Sequence, residues 1–330
     1  MVQESGVLLR AYHEVDGGPL NGVGIAKALV STLKLARGTL QAWQLMRRTR
    51  PDALLLTGGW ANVPLALAAW VRRLPTLVYL PDIEPALTIK TISRFASTVA
   101  ITAPDSARYF REGQSVVTGY PLRQAVLEAQ RAQAQTHFGL VPDLPTLLVF
   151  GGSRGARSLN QALSACLPEV LEVAQVIHIT GTLDWENAQS RLPSLSADQR
   201  ARYHAFAYLH REMGLALAGA DIALSRSGAS VLGEFTHFGL PSLLVPYPHA
   251  WRYQKVNADY LVERGAALRL DDERLSETLL PTLRDLLKDA ARLAHMRASA
   301  LALRTDGADN IARLWLDMAQ AHSAKGRAHD

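Results

Sequence analysis

A chain of 330 residues, 48 % hydrophobic and 20 % charged, is long enough for two ordinary domains with a large core, which excludes a disordered protein. The single cysteine, Cys166, excludes a disulfide framework and a thiolate zinc site, and no apolar run approaches the ~20 residues that cross a bilayer. With a net charge of +5 and no secretory pattern after Met1, the expected setting is the cytosol, with room for a peripheral contact to an acidic surface.

The first 23 residues are short apolar pieces and glycines that resolve into no element. A long helix is predicted over about 25–48. Lys27, Lys34, Arg37, Arg47 and Arg48, with Arg50 just beyond, interleave there with Leu29, Val30, Leu33, Leu40, Trp43 and Leu45. A basic amphipathic helix of this kind suits an anionic membrane surface. Nucleic acid would leave a similar footprint, but no DNA or RNA motif accompanies it, and no nucleic-acid partner is expected. Strands follow at 53–56, 76–80, 98–101 and 115–117, with helices near 63–72 and 87–95. The connections include Thr57-Gly58-Gly59 and the Pro81-Asp82 loop.

Gly119-Tyr120-Pro121 interrupts this rhythm, and the domain boundary is placed at 121. A helix over 122–137 leads to strands at 146–150, 176–179, 203–206, 222–224, 242–245 and 267–270, after which two helical segments close the chain. The expected organisation is a first domain over 1–121, a second over 122–305, and a last segment, 306–330, whose helix packs back towards the first domain. Its tail from about His322 is expected to be disordered. Repeated β/α alternation predicts parallel sheets with helices on both faces, an α/β fold.

Three stretches carry candidate chemistry. Gly151-Gly152-Ser153-Arg154-Gly155-Ala156 follows a strand and opens a helix, where backbone amides can approach a phosphate; tight packing alone would ask for the same glycines. No Gly-Lys-Ser/Thr follows, and the next strand lacks the acidic end of a dinucleotide fingerprint. The stretch from Asp221 to Asn257 reads as strand, loop, helix, strand, loop, the pattern of a ligand shelf at the carboxyl ends of sheet strands. Glu234 lies in its helix, either solvent-facing or gripping hydroxyls, and Gln254 and Asn257 share a helix face. The histidines show no metal-binding spacing, no Asp-x-Asp pair is present, and no essential metal is expected. No G-x-S-x-G elbow occurs.

Taken together these loops resemble the MurG family of glycosyltransferases. Arg50-Pro51-Asp52 and Thr57-Gly58-Gly59-Trp60 look like the family's K/R-P-D and G-G-Y, and Gly119-Tyr120-Pro121-Leu122-Arg123 is similar to its G-N-P-V-R. GGSRGARSLN, beginning at Gly151, looks like its GGSQGAxxLN. The shelf resembles its RSGAxTxxE, GLPxxxVP and Q-x-x-N-A series. The resemblance implies a GT-B fold, two Rossmann-like domains facing a cleft, and metal-independent, inverting transfer of N-acetylglucosamine from UDP-GlcNAc to a lipid-linked muramoyl-peptide. It implies no cofactor and a place on the inner face of the cell membrane.

Carried over residue by residue, Ser153 would meet the diphosphate with Arg123 beside it, and Leu209 would offer backbone groups to uracil. Ala229 and the helix start through Ser230, Val231, Leu232 and Gly233 would receive a phosphate. Glu234 would bind ribose and Gln254 the sugar hydroxyls; Asp82, Gly152 and Asn257 are further candidates. Two departures stand out. Tyr79-Leu80-Pro81-Asp82 replaces the family's H-E-Q-N loop, and the family's opening strand and G-x-G-G-H loop have no counterpart before Gly17. The first domain is therefore expected to be incomplete, with no assignable catalytic base. The alternative is a catalytically silent UDP-sugar-binding protein, or a half-enzyme completed by a separate partner chain. A UDP-sugar epimerase is a third reading.

Overall fold

The computed structural model describes residues 11–19, 24–152, 155–248 and 252–327. Two parallel sheets organise them. The first has four strands, β1 (Leu54–Leu56), β2 (Thr76–Leu80), β3 (Thr98–Ile101) and β4 (Ser115–Val117), in the order β1-β2-β3-β4. The second has six, β5 (Thr146–Phe150), β6 (Gln175–Ile179), β7 (Tyr203–Phe206), β8 (Ile222–Ser225), β9 (Ser242–Leu244) and β10 (Ala267–Arg269), in the order β10-β9-β8-β5-β6-β7. Strands covered by helices on both faces must be apolar throughout, which is why β2 (TLVYL) and β5 (TLLVF) are buried at every position. In the second sheet the chain runs outward from β5 through β6 to β7 and re-enters beside β5 at β8. The order reverses between β5 and β8, and such a reversal opens a crevice at the carboxyl ends of the two strands.

The first sheet is covered by α1 (Ile25–Thr49), α2 (Asn62–Val71) and α3 (Leu87–Ile92). One face of α1 is buried at Leu35, Ala42 and Met46, while Leu29, Val30, Leu33 and Leu40 remain exposed on the other side. Around the second sheet lie α4 (Gln124–Leu127), α5 (Arg131–Phe138), α6 (Arg157–Ala165), α7 (Leu167–Leu171), α8 (Trp185–Arg191), α9 (Ala197–Ala201) and α10 (Met213–Gly219). They are followed by α11 (Val231–Phe238), α12 (Tyr253–Glu263), α13 (Leu275–Lys288), α14 (Ala290–Leu301) and α15 (Gly307–Arg327). None of the described helices is long and apolar enough to cross a membrane.

Two local expectations are corrected. The single helix over 122–137 is two, because Gln130 adopts extended backbone and forms a reciprocal capping box with Gln133, starting a fresh helix. The chain also does not unravel from His322: α15 continues to Arg327 and is the third helix after β10. It is held along the first sheet, with Ile311 packed among Leu77, Tyr79 and Ala100. Asn310 donates to the Thr118 carbonyl at 3.0 Å, and Ser323 donates to Asp52 at 2.7 Å. Tertiary docking of this kind keeps a helix going where propensity alone would let it fray.

The two sheets meet through the loop after β2. Ile83 and Ala103 of the first sheet's loops are buried in one apolar cluster with Val126, Val231 and Phe235 of the second.

Candidate active site

The turn after β5 requires glycine for steric reasons. A Cβ on Gly151 would lie 2.3 Å from the Ala156 amide nitrogen, and one on Gly155 would lie 2.2 Å from the Thr180 carbonyl oxygen. Gly152 and Gly155 also hold φ of +87° and +76°, the left-handed region that side chains disfavour. Ser153 lies outside the described residues. Below the turn, Asn160 donates to the Thr180 carbonyl at 2.8 Å and to Asp184 at 2.9 Å. His178 shares hydrogen bonds with Asn160 (2.9 Å) and Tyr203 (2.8 Å), and burial pushes its pKa down to about 4. A neutral imidazole with both nitrogens engaged is a brace for the glycine turn.

The turn after β8 faces this one across the crevice. Arg226, part of the RSGA sequence, proves to be its keystone. Its guanidinium bonds Asp272 (2.7 Å), Ser158 (2.7 Å) and the Val245 carbonyl (3.1 Å), joining the loops after β8, β9 and β10 to α6. Ser227 donates to the Gln254 carbonyl at 2.7 Å. The α11 turn closes through Leu232 to Ala229 and through Gly233 and Glu234 to Ser230. Among the described residues, the amides of Ala229 and Ser230 find no backbone carbonyl. They stand at the positive end of the helix, where an anion is stabilised.

Glu234 is half-buried, and desolvation raises its pKa against the opposing pull of a Ser230 hydrogen bond and the Arg123 charge. Tyr120 packs closely against this helix: a Cβ on Gly233 would come within 2.6 Å of its ring. The Gly119-Tyr120-Pro121-Leu122-Arg123 turn thereby brings exposed Arg123 beside Glu234. Leu209 is buried in the loop after β7. Gln254 sits in the first turn of α12, where its Oε1 accepts the Tyr247 amide at 2.9 Å.

Asn257 lies one turn further along α12 and is fully buried. Its Oδ1 accepts the Ile83 amide at 3.0 Å, and its Nδ2 donates to Asp82 Oδ1 at 2.8 Å and to the Ser227 carbonyl at 3.1 Å. One side chain thus ties the first sheet's loop to the second sheet's shelf. Glu84 lies alongside, 2.7 Å from Arg252 and 3.7 Å from Lys90. Sequence reading located Asp82, Glu234, Gln254 and the glycines. It does not single out Arg226, Tyr120, Ser227 or Glu84; Arg226, Ser227 and Tyr120 are signalled only by falling inside recognisable motifs.

Two parallel-sheet domains facing a cleft, with a glycine turn, a helix start and a half-buried carboxylate at one switch point, define a GT-B fold. The comparisons narrow the class. The C-terminal domain of glycosyltransferase family 28 matches residues 146–311, and that family's N-terminal domain matches residues 1–101. The chain belongs to glycosyltransferase family 28. It is 40 % identical over 300 residues to a UDP-N-acetylglucosamine--N-acetylmuramyl-(pentapeptide) pyrophosphoryl-undecaprenol N-acetylglucosamine transferase of Roseiflexus sp. (strain RS-1), covering 81 % of this chain and 68 % of that relative. To the protein of the same name from Desulforudis audaxviator it is 38 % identical over 323 residues, covering 96 % of this chain and 85 % of that relative. In structure it is similar to MurG of Acinetobacter baumannii, with a TM-score of 0.69 at 24 % identity over 87 % of this chain and 79 % of that one.

Proposed function

We infer that this chain transfers N-acetylglucosamine from UDP-GlcNAc to the lipid-linked muramoyl-peptide of peptidoglycan synthesis. The observation that carries the reading is the convergence of the 151–156 turn, the α11 start and Glu234 at one switch point, in a chain whose relatives are named for this reaction. In the proposed site the diphosphate lies between the glycine turn, with Gly152 and Ser153, and the helix start from Ala229 through Ser230, Val231, Leu232 and Gly233. Arg123 stands beside it. As the bond to the anomeric carbon breaks, charge grows on the departing diphosphate, and the amides and guanidinium stabilise it in place. Glu234 accepts hydrogen bonds from ribose hydroxyls, the backbone at Leu209 meets uracil, and Gln254, whose Oε1 is engaged by Tyr247, offers its Nε2 to the sugar. The displacement is single and inverting, and these groups carry it without a cofactor.

The acceptor is membrane-borne, and α1 suits docking to an anionic surface. Leu29, Val30, Leu33 and Leu40 are 65 %, 53 %, 72 % and 64 % exposed, beside Lys34 and Arg37. The chain is expected to bind vesicles containing an anionic lipid and to release them as salt rises; equal retention on neutral vesicles at every ionic strength would remove this assignment.

The enzymatic reading is tested by titrating UDP calorimetrically and assaying sugar transfer from UDP-GlcNAc to the lipid-linked acceptor. UDP binding with transfer is expected. Binding without transfer would favour a silent binder or a chain needing a partner, and absence of UDP binding would reject both.

A further inference from the structure

The donor shelf has groups for the leaving diphosphate but none assigned to the proton of the attacking hydroxyl. Asp82 stands at the carboxyl end of β2, the end of the first sheet that faces the cleft, and Asn257 holds it from the opposite domain. Asn257 is one helical turn from Gln254, and both bond the loop at Ser227, so the Asp82 carboxylate is fixed at the Gln254 end of the shelf, the end to which the proposed function gives the sugar. Its Oδ1 accepts from Asn257; Oδ2 takes no hydrogen bond and no ion pair from the described residues. The tie to Asn257 and the buried Ile83 next to it hold this loop against the second domain.

Other titratable groups are placed for different work. Glu84 faces Arg252 and Lys90, Glu234 faces Ser230 and Arg123, and His178 is enclosed by Asn160 and Tyr203. His237 lies near the far end of α11 from Ser230, and His13 is exposed on the segment bonded to α1 through Asp16 and Gln41. His249 lies outside the described residues.

We propose that Asp82 is the general base of the transfer reaction, an inference that rests on the function given above. The acceptor hydroxyl gives its proton to Oδ2 as its oxygen forms the bond to the anomeric carbon. The bond from that carbon to the diphosphate oxygen breaks, its electron pair leaves with UDP, and the proton departs from Asp82 to water afterwards. The groups that face the carboxylate are compatible with this task. Burial raises its pKa above the ordinary carboxylate value and the Asn257 hydrogen bond restrains that rise. Tyr79 from β2, Tyr120 from the inter-domain turn and Tyr253 from α12 all feel its charge, while Glu84, Glu234 and Arg123 lie in the same field.

The test compares the unsubstituted chain, Asp82→Asn and Asn257→Ala, measuring kcat, KM for each substrate, the pH profile of kcat/KM and UDP affinity by calorimetry. Asn at 82 keeps the shape and an acceptor for Asn257. The expected result is a kcat lower by about 100-fold or more with UDP affinity held within about twofold, and loss of the acidic limb of the profile. Asn257→Ala keeps the base but removes the bond that favours its ionised form, so the acidic limb should persist and move to higher pH. Three results would each overturn the proposal: near-normal kcat in Asp82→Asn, a defect confined to KM, or an acidic limb unchanged in both variants. If the unsubstituted chain binds UDP but transfers nothing, the parent reading fails and this one falls with it. If it transfers and Asp82→Asn does too, this one alone fails.

Discussion

In the six-stranded sheet the chain leaves β5 towards β6 and β7 and returns on β5's other side at β8, whereas the four described strands β1 to β4 run outward in one direction. The first arrangement opens a crevice lined by loop backbone, glycines and a helix start, the groups to which the proposed function gives the binding. The second contributes side chains at its loop tips, and the closest of these, Asp82 and Glu84, take their positions from Asn257 and Arg252 of the other domain. On the proposed function the donor site is therefore self-contained in one domain, while the acceptor side is assembled across the seam. Substitutions on the two sides should therefore separate binding from turnover.

The largest effect belongs to Arg226→Ala. The guanidinium is only 10 % exposed at the side chain and joins four elements, so its loss leaves the largely buried Asp272 carboxylate without its cation, held only by the Ser158 hydroxyl. Destabilisation of about 3 kcal/mol is expected from urea unfolding, together with loss of UDP binding. A change below about 1 kcal/mol would mean that the shelf is braced elsewhere.

Next comes Glu234→Gln, which keeps the shape but removes the charge that strengthens hydrogen bonds to hydroxyls. UDP affinity should fall by roughly 30-fold, about 2 kcal/mol, read by calorimetry. Because burial raises the Glu234 pKa, the parent's UDP affinity should drop as pH falls through that raised value, while the Gln variant stays flat. The stability term has the opposite sense. A carboxylate raised in the folded state contributes its stability below the unfolded value and loses it as pH rises through the folded one, so the Gln variant gains relative to the parent on the alkaline side. Parallel pH profiles in the two proteins would place Glu234 outside the ligand's reach.

The strands were legible in sequence because burial on both faces writes each as an uninterrupted apolar run; Thr146–Phe150 and Thr76–Leu80 could be marked without a structure. The break at Gln130 was not, since glutamine is a weak capping signal and the reciprocal box with Gln133 is visible only once folded. The same limit applies to the site. Gly151, Gly152, Gly155 and Glu234 sit in local motifs whose spacing is a property of the chain. The bonds that position them or complete the cleft span great distances in sequence: Arg226 to Asp272 crosses 46 residues and Asn257 to Asp82 crosses 175. Such pairings depend on sheet order and domain packing, which no local pattern encodes.

The smallest effect tests the comparison most directly. Arg264, which caps the end of α12, bonds Asp105 of the first domain at 2.7 Å, with both side chains about a third exposed or less, and its guanidinium also stacks on Tyr260 at 3.8 Å. Partial hydration screens such a pair, so Arg264→Ala should cost no more than about 1 kcal/mol in urea unfolding. Removing it loosens the seam without touching the switch point. UDP affinity should therefore stay within about twofold of the parent, while KM for the lipid-linked acceptor rises. A tenfold loss of UDP affinity would show that the donor shelf depends on the first domain after all, and the division between a self-contained donor side and an assembled acceptor side would have to be given up.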